Sequence, residues 1–219
     1  MANYTAGLET KNRILEKSKE LFYQIGYNDL SFNELCRAAA VNQGTIVYHF
    51  GGKFQIAQQI YAEMMASMQN QVKALFADED DFPVVILCVL VYFDLFFKDP
   101  GFRRFCVQIS QDNMESVIAD QYRNYSPVLY QYLSKLYSVD QLEMIFTCTT
   151  GADIALQHYL YQNIETKSFS NTIDDICKCL FYFVDTDVLQ PVIEKAHTMF
   201  KKISITNTGF DIHIGQCIG

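Results

Sequence analysis

The stretch Asn42-Gln43-Gly44-Thr45-Ile46-Val47-Tyr48-His49-Phe50 constrains this chain more than any other. It follows a helix-like segment, Phe32 to Ala40, across only a residue or two, which leaves room for nothing but a tight turn between two helices. Asn42 is a good N-cap, because its side-chain oxygen can accept from a free amide one turn ahead. Gln43, Thr45, Tyr48 and His49 then offer donors, acceptors and aromatic edges, while Val41, Ile46 and Phe50 fall where a core belongs. Two short helices joined by a tight turn, the second polar on its outer face, read as a helix-turn-helix. In that motif the N-terminal part of the second helix meets base edges while the first crosses the backbone.

The flanking residues agree with this reading. Ser31-Phe32-Asn33-Glu34 is a capping box, and Leu30 and Leu35 are spaced as a hydrophobic staple across it. Leu35 and Ala38 are expected to face inward. Ser31 serves the cap; a phosphate contact from its amide or from Asn33 is compatible with that role. Upstream, Glu9 to Gln24 carries Ile14, Leu15, Leu21 and Phe22 at helical spacing, and Gly26 is a natural stop. Lys11 and Arg13 fall near the start of that helix, against its dipole, where a phosphate or solvent compensates them.

With these residues in view, residues 10 to 56 resemble the N-terminal domain of the TetR family of bacterial transcriptional regulators. Arg13-Ile14-Leu15, Leu21-Phe22, Gly26-Tyr27, Ser31, Ala39, Val41, Gly44-Thr45-Ile46, Tyr48-His49-Phe50 and Lys53 carry the resemblance in order. Val47 departs from it, where an aromatic or polar residue is usual, and so does Gly51-Gly52 before the lysine. The resemblance implies an all-α fold: a three-helix DNA-binding head, residues 1–52, on a larger helical body, residues 53–219, for regulation and dimerisation. It implies a homodimer formed through two C-terminal helices of each subunit, whose equivalents are Ser138–Ile164 and the segment from Asn171 to about Ile203. The operator is then palindromic, with half-sites about 34–36 Å or a multiple apart. The residues expected on DNA are Ser31, Asn33, Asn42, Gln43, Thr45, Tyr48, His49 and Lys53. Gln43, Thr45 and His49 are placed near base edges, and Tyr48 and Lys53 on phosphates.

Net charge tests this division. The chain carries −8, which disfavours a polyanionic partner until it is split. Residues 1–56 hold six basic and five acidic side chains, the remainder 11 and 20, so the acidic excess belongs wholly to the body. The head is the only plausible DNA face, and a weakly charged one.

Beyond it, Lys53 to Leu75 is a long amphipathic helix with Ile56, Ile60, Met64, Met68 and Val72 on one stripe. Val84 to Phe97 is apolar on nearly all sides and so belongs in the middle of a bundle. Further helical segments are expected at Phe102–Ile109, Met114–Tyr122, from Tyr125 to Tyr137, at Ser138–Ile164 behind a second capping box, and from Asn171 on, with Pro191 interrupting or restarting the last. The tail from Ser204 alternates Phe210, Ile212 and Ile214 and reads as a short strand or an ordered arm.

The chain is poorly equipped as an enzyme. It has no phosphate-binding glycine loop and no serine or cysteine near a histidine in a recognisable motif. Its seven cysteines lack zinc-site spacing and read as thiols packed as small hydrophobes, so no metal or cofactor is expected. No apolar run reaches the ~18 residues of a membrane span, and a cytoplasmic protein is expected. The aromatic excess of the body suggests a pocket for a small apolar effector, neutral or cationic, among Phe93, Phe97, Phe105, Tyr122, Tyr130, His158 and Tyr159. A body that serves only dimerisation or protein docking is the other reading of the same residues.

Overall fold

The computed structural model describes residues 2–112, 130 and 133–217, and within them the chain is predominantly helical. Its helices are α1 (Ala2–Gln24), α2 (Phe32–Ala38), α3 (Gln43–Phe50), α4 (Lys53–Leu75), α5 (Asp81–Lys98), α6 (Pro100–Ser110), α7 (Val139–Gln162), α8 (Phe169–Leu180) and α9 (Thr186–Phe200). A hairpin of β1 (Ile203–Thr208) and β2 (Asp211–Gln216) follows. The segments expected at Met114–Tyr122 and from Tyr125 up to residue 129 lie outside the described residues.

Local chemistry sets the element ends. Ser31 and Glu34 form the capping box of α2, and Ser138 and Gln141 that of α7. Asp99 caps α6 through the Phe102 amide, with Pro100 in the first turn, where its missing N–H costs nothing. Three readings from sequence are corrected. Helix α1 begins at Ala2, so Lys11 and Arg13 lie in its middle, away from the dipole at its end. On α2 it is Ala39, at the cap, that is buried, while Ala38 is exposed. Pro191 sits inside α9, which restarts earlier, at Thr186.

The core is continuous. Helix α5 is its axis, with Ile86, Leu87, Leu90, Val91 and Phe96 fully buried and α9, α8, α6 and α4 packed around it. The buried carboxylate of α5, Asp94, pairs with Lys98 at 2.8 Å. The stripe expected on α4 is buried throughout.

Helix α6 ties this core to α1. Its adjacent arginines cap two different helices: Arg103 donates to the Phe96 and Phe97 carbonyls at the end of α5, and Arg104 to those of Tyr23 and Gln24 at the end of α1. Cations at helix C-termini satisfy free carbonyls and the dipole together. Around them Tyr23 donates to Asp99, Tyr27 donates to Asp112, and the Asn28 amide donates to Gln108. Burial, then Asp99, pushes the Tyr23 phenol up to about 12, so it remains a donor at any ordinary pH. Gly101 is required here, since a Cβ would fall 2.8 Å from the Tyr23 ring.

The hairpin closes the same junction. Phe210 places its ring 5.3 Å from Tyr23 and 4.5 Å from Phe105, between α1 and α6. On β2's free edge Gln71 of α4 acts as a strand neighbour, donating to the Ile212 carbonyl and accepting from the Ile214 amide.

Candidate nucleic-acid interface

Helices α2 and α3 meet at a turn with a defined mechanism. Ala40 is left-handed at φ +50°, and the Val41 and Ala40 amides donate back to the Cys36 and Arg37 carbonyls. That is the Schellman arrangement, and it ends α2 within two residues. Arg13 of α1 adds a bond to the Ala39 carbonyl. The chain then enters α3 through Asn42, whose side-chain oxygen accepts from the amide and hydroxyl of Thr45. Ile46 is fully buried beneath α3, and Phe50 is half-buried with the Lys11 ammonium 5.4 Å from its ring centroid.

The outer face of α3 is the opposite. Tyr48 is 84% exposed, its ring edge-on to His49, and Val47 beside it is 51% exposed. Gln43 projects from the first turn, its amide nitrogen donating to the Asn33 side chain of α2 at 2.9 Å. The two helices thus brace a recognition-type residue from outside the helix that carries it. An open cleft beside them is lined by Thr10, Arg13, Asn33, Arg37, Asn42 and Gln43, among others.

Asn33, Asn42, Gln43 and Thr45 line that cleft, and Tyr48 and His49 are ring neighbours farther along α3. Two of the expected residues are engaged elsewhere. Ser31 gives both its amide and its hydroxyl to Glu34, at 2.9 and 2.6 Å, so the capping box consumes the donors a phosphate would need. Those bonds also hold the Glu34 carboxyl below its ordinary value. The Lys53 ammonium, expected on a phosphate, instead donates to the Tyr27 and Leu30 carbonyls at 2.8 and 2.9 Å and stands 4.5 Å over the Tyr27 ring. Burial lowers its pKa. Arg37 was not singled out from sequence. It is exposed on α2 one turn after Asn33, and that i,i+4 spacing was the available signal.

The residues expected to line a pocket in the body do not converge. Phe93 is buried against Tyr92 and Phe96; Phe97 meets Phe169; Phe105 packs on Phe22 and Phe210, at the junction with α1. Tyr130 stacks on Phe146, His158 is half-buried, and Tyr159 is exposed. Tyr122 lies outside the described residues. The aromatics divide among several ordinary packing clusters. Among the described residues no group of His, Cys, Asp and Glu is arranged to hold a metal, and no helix is long and apolar enough to cross a membrane.

Comparison with known proteins places this surface in context. Residues 14–60 match the family model of bacterial regulatory proteins of the tetR family. The transcriptional regulator SrpR of Pseudomonas putida is 26% identical over 82 residues, 37% of this chain and 38% of SrpR. UidR of Escherichia coli K12 is 31% identical over 71 residues, 32% of this chain and 33% of UidR. The matched stretch thus spans 38% of SrpR and 33% of UidR. In fold the likeness extends further: the crystal structure of RolR, solved with resorcinol bound, superposes with a TM-score of 0.63 over 88% of this chain and 95% of that one, at 16% identity.

Proposed function

We propose, from the match of residues 14–60 to the tetR family model, that this chain is a homodimeric transcriptional regulator of that family, a repressor released from a palindromic operator by a small effector. Residues 1–52 form the reading head and 53–219 the regulatory and dimerising body. The observation that carries the reading is the surface of α2 and α3, where Tyr48 stands almost fully exposed above a buried Ile46 and Gln43 is braced by Asn33. An apolar, aromatic and amide-bearing helix face held this rigidly fits the major groove, where Gln pairs with adenine through two bonds. Asn33, Asn42, Thr45 and His49 complete the contact set, and Arg37 and Lys11 supply phosphate charge.

A second copy has a surface to meet. Met144, Cys148, Gly151, Ala155 and Tyr159 are exposed along one side of α7 at spacings of three and four, with Tyr182 exposed after α8. Small residues in such a stripe allow close helix approach across a two-fold axis, the isologous arrangement usual in homodimers. Effector control would act through α6, which grips the ends of both α5 and α1, as well as through α4. A ligand does this only by its difference in affinity for two shapes; ~1–3 kcal/mol changes operator affinity about 5–150-fold.

The alternative, a body for dimerisation or protein docking alone, draws on the dispersal of the aromatic residues described above. Selection from random duplex DNA tests the shared part of both readings. The expected product is a palindrome with half-sites about one helical turn apart, and Gln43→Ala should relax preference at one position of each half-site. Enrichment of no palindrome would overturn the proposal.

A further inference from the structure

Across the turn between α2 and α3, one hydrogen bond joins two side chains ten residues apart. Gln43 donates from its amide nitrogen to the Asn33 side-chain oxygen at 2.9 Å, and among the described residues it has no other hydrogen-bond partner. The nearest polar alternative is already engaged, since Asn42 Oδ1 accepts from both the amide and the hydroxyl of Thr45. Gly44, next along the first turn of α3, has no side chain with which to prop Gln43. Asn33 and Gln43 are both exposed, and both line the cleft beside the two helices. Their separation is set from below, by the left-handed turn at Ala40 and by the buried Leu35, Ala39 and Ile46. A bond between two exposed side chains contributes little to stability, so its consequence lies in what it does to Gln43.

We propose that Asn33 is a positioning residue for sequence readout: by taking one of the two amide hydrogens of Gln43, it makes that side chain a reader of adenine and sets it against guanine. The proposal deepens the function given above and rests on it. An unrestrained glutamine carries two N–H donors and one carbonyl acceptor, and its terminal amide can turn over. It can therefore answer more than one base. In the major groove adenine shows an acceptor, N7, beside a donor, N6–H, whereas guanine shows two acceptors, N7 and O6. A glutamine with both hydrogens free can give both of them to guanine. With one hydrogen held by Asn33, Gln43 keeps one donor and one acceptor, which is the complement of adenine. Guanine O6 would then face the Gln43 carbonyl oxygen. Turning the Gln43 amide alone would set its oxygen against that of Asn33, so the bond fixes the order of donor and acceptor as well as their number. Asn33 thus acts on the base through Gln43, without touching it.

The test uses the full-length protein and a labelled duplex recovered by selection, read by fluorescence anisotropy. In one half-site, the base pair at which Gln43→Ala relaxes preference is varied through all four pairs. Wild type is expected to favour adenine over guanine there about tenfold or more. Asn33→Ala should shrink that ratio about three- to tenfold, the worth of one hydrogen bond. Its melting temperature should stay that of wild type, because Asn33 is exposed. Asn33→Asp keeps the accepting oxygen and removes the amide nitrogen. Its added charge, one turn from Arg37, should weaken binding to every sequence, yet leave the ratio within about twofold of wild type. A merely structural or phosphate-binding role predicts neither the change of ratio nor its rescue. Asn33→Ala that weakens all four duplexes alike would overturn the proposal, as would Asn33→Asp that loses the ratio as fully as Asn33→Ala. A wild-type preference for a base other than adenine at that pair would overturn it too. Each of these results leaves the regulator reading standing, whereas wild type that binds no duplex selectively sinks both.

Discussion

At the scale of single residues, Lys53 shows how position and role can separate. Its ammonium is tied to two carbonyls, 23 and 26 residues back in the chain, and covers the Tyr27 ring. Lys53→Met removes both bonds at once. The expected loss is about 1–3 kcal/mol of stability, from carbonyls left unpaired in a half-buried place, measured by thermal unfolding. The salt dependence of operator binding should keep its slope; a slope reduced by about one in the folded variant would return Lys53 to a phosphate. The contrast with Ser31 and Asn42 explains what could be read in advance. Their partners, Glu34 and Thr45, lie three residues on, so the caps are written in the local sequence. The brace from Asn33 to Gln43 and the staple from Lys53 depend on how helices pack, and no local pattern carries that.

Among the elements, the hairpin was the least legible. Its alternation of Phe210, Ile212 and Ile214 was visible, but the turn lacks the usual Asn-Gly signature. Gly209 and Phe210 both adopt positive φ, at +58° and +77°, as a two-residue hairpin turn of the primed type demands. A phenylalanine pays conformational strain there, and its burial against Tyr23 and Phe105 is the compensation. Phe210→Ala should therefore cost roughly 3–5 kcal/mol, the range for truncating a buried aromatic. Near wild-type melting would show that the wedge carries no weight. The helices, by contrast, announced themselves: the α4 stripe and the all-round apolar α5 follow directly from spacing and burial.

For the whole molecule the decisive question is the second copy. A weakly charged head gains its affinity from pairing, so the exposed stripe on α7 and operator binding should fail together. Gly151 offers a clean test, because an added Cβ there meets nothing within 4 Å in the isolated subunit. Gly151→Glu should leave the fold intact, convert a dimer to a monomer in sedimentation at micromolar concentration, and lower operator affinity at least tenfold. A dimer that survives the substitution would move the interface elsewhere. The helix-turn-helix was legible from its caps and spacing. The dispersal of the body's aromatics was not, because an aromatic residue looks the same in sequence whether it fills a core or lines a site.

The grip of α6 and the hairpin on α1 bears on modularity. On the proposed function such a chain invites recombination, its reading head exchanged for a relative's to redirect the rest. Here the seam cannot be cut at the start of α4. Arg104 and Gln108 belong to the body by sequence, and Phe210 comes from the far end of the chain, yet all three are shaped to the last turn of α1 and the loop after it. A graft that brings residues 1–52 alone would present these anchors with foreign partners. A transplant that preserves control must carry the matching positions of α6 and the hairpin with it, so inheritance of the head is bound to three separate places in the chain.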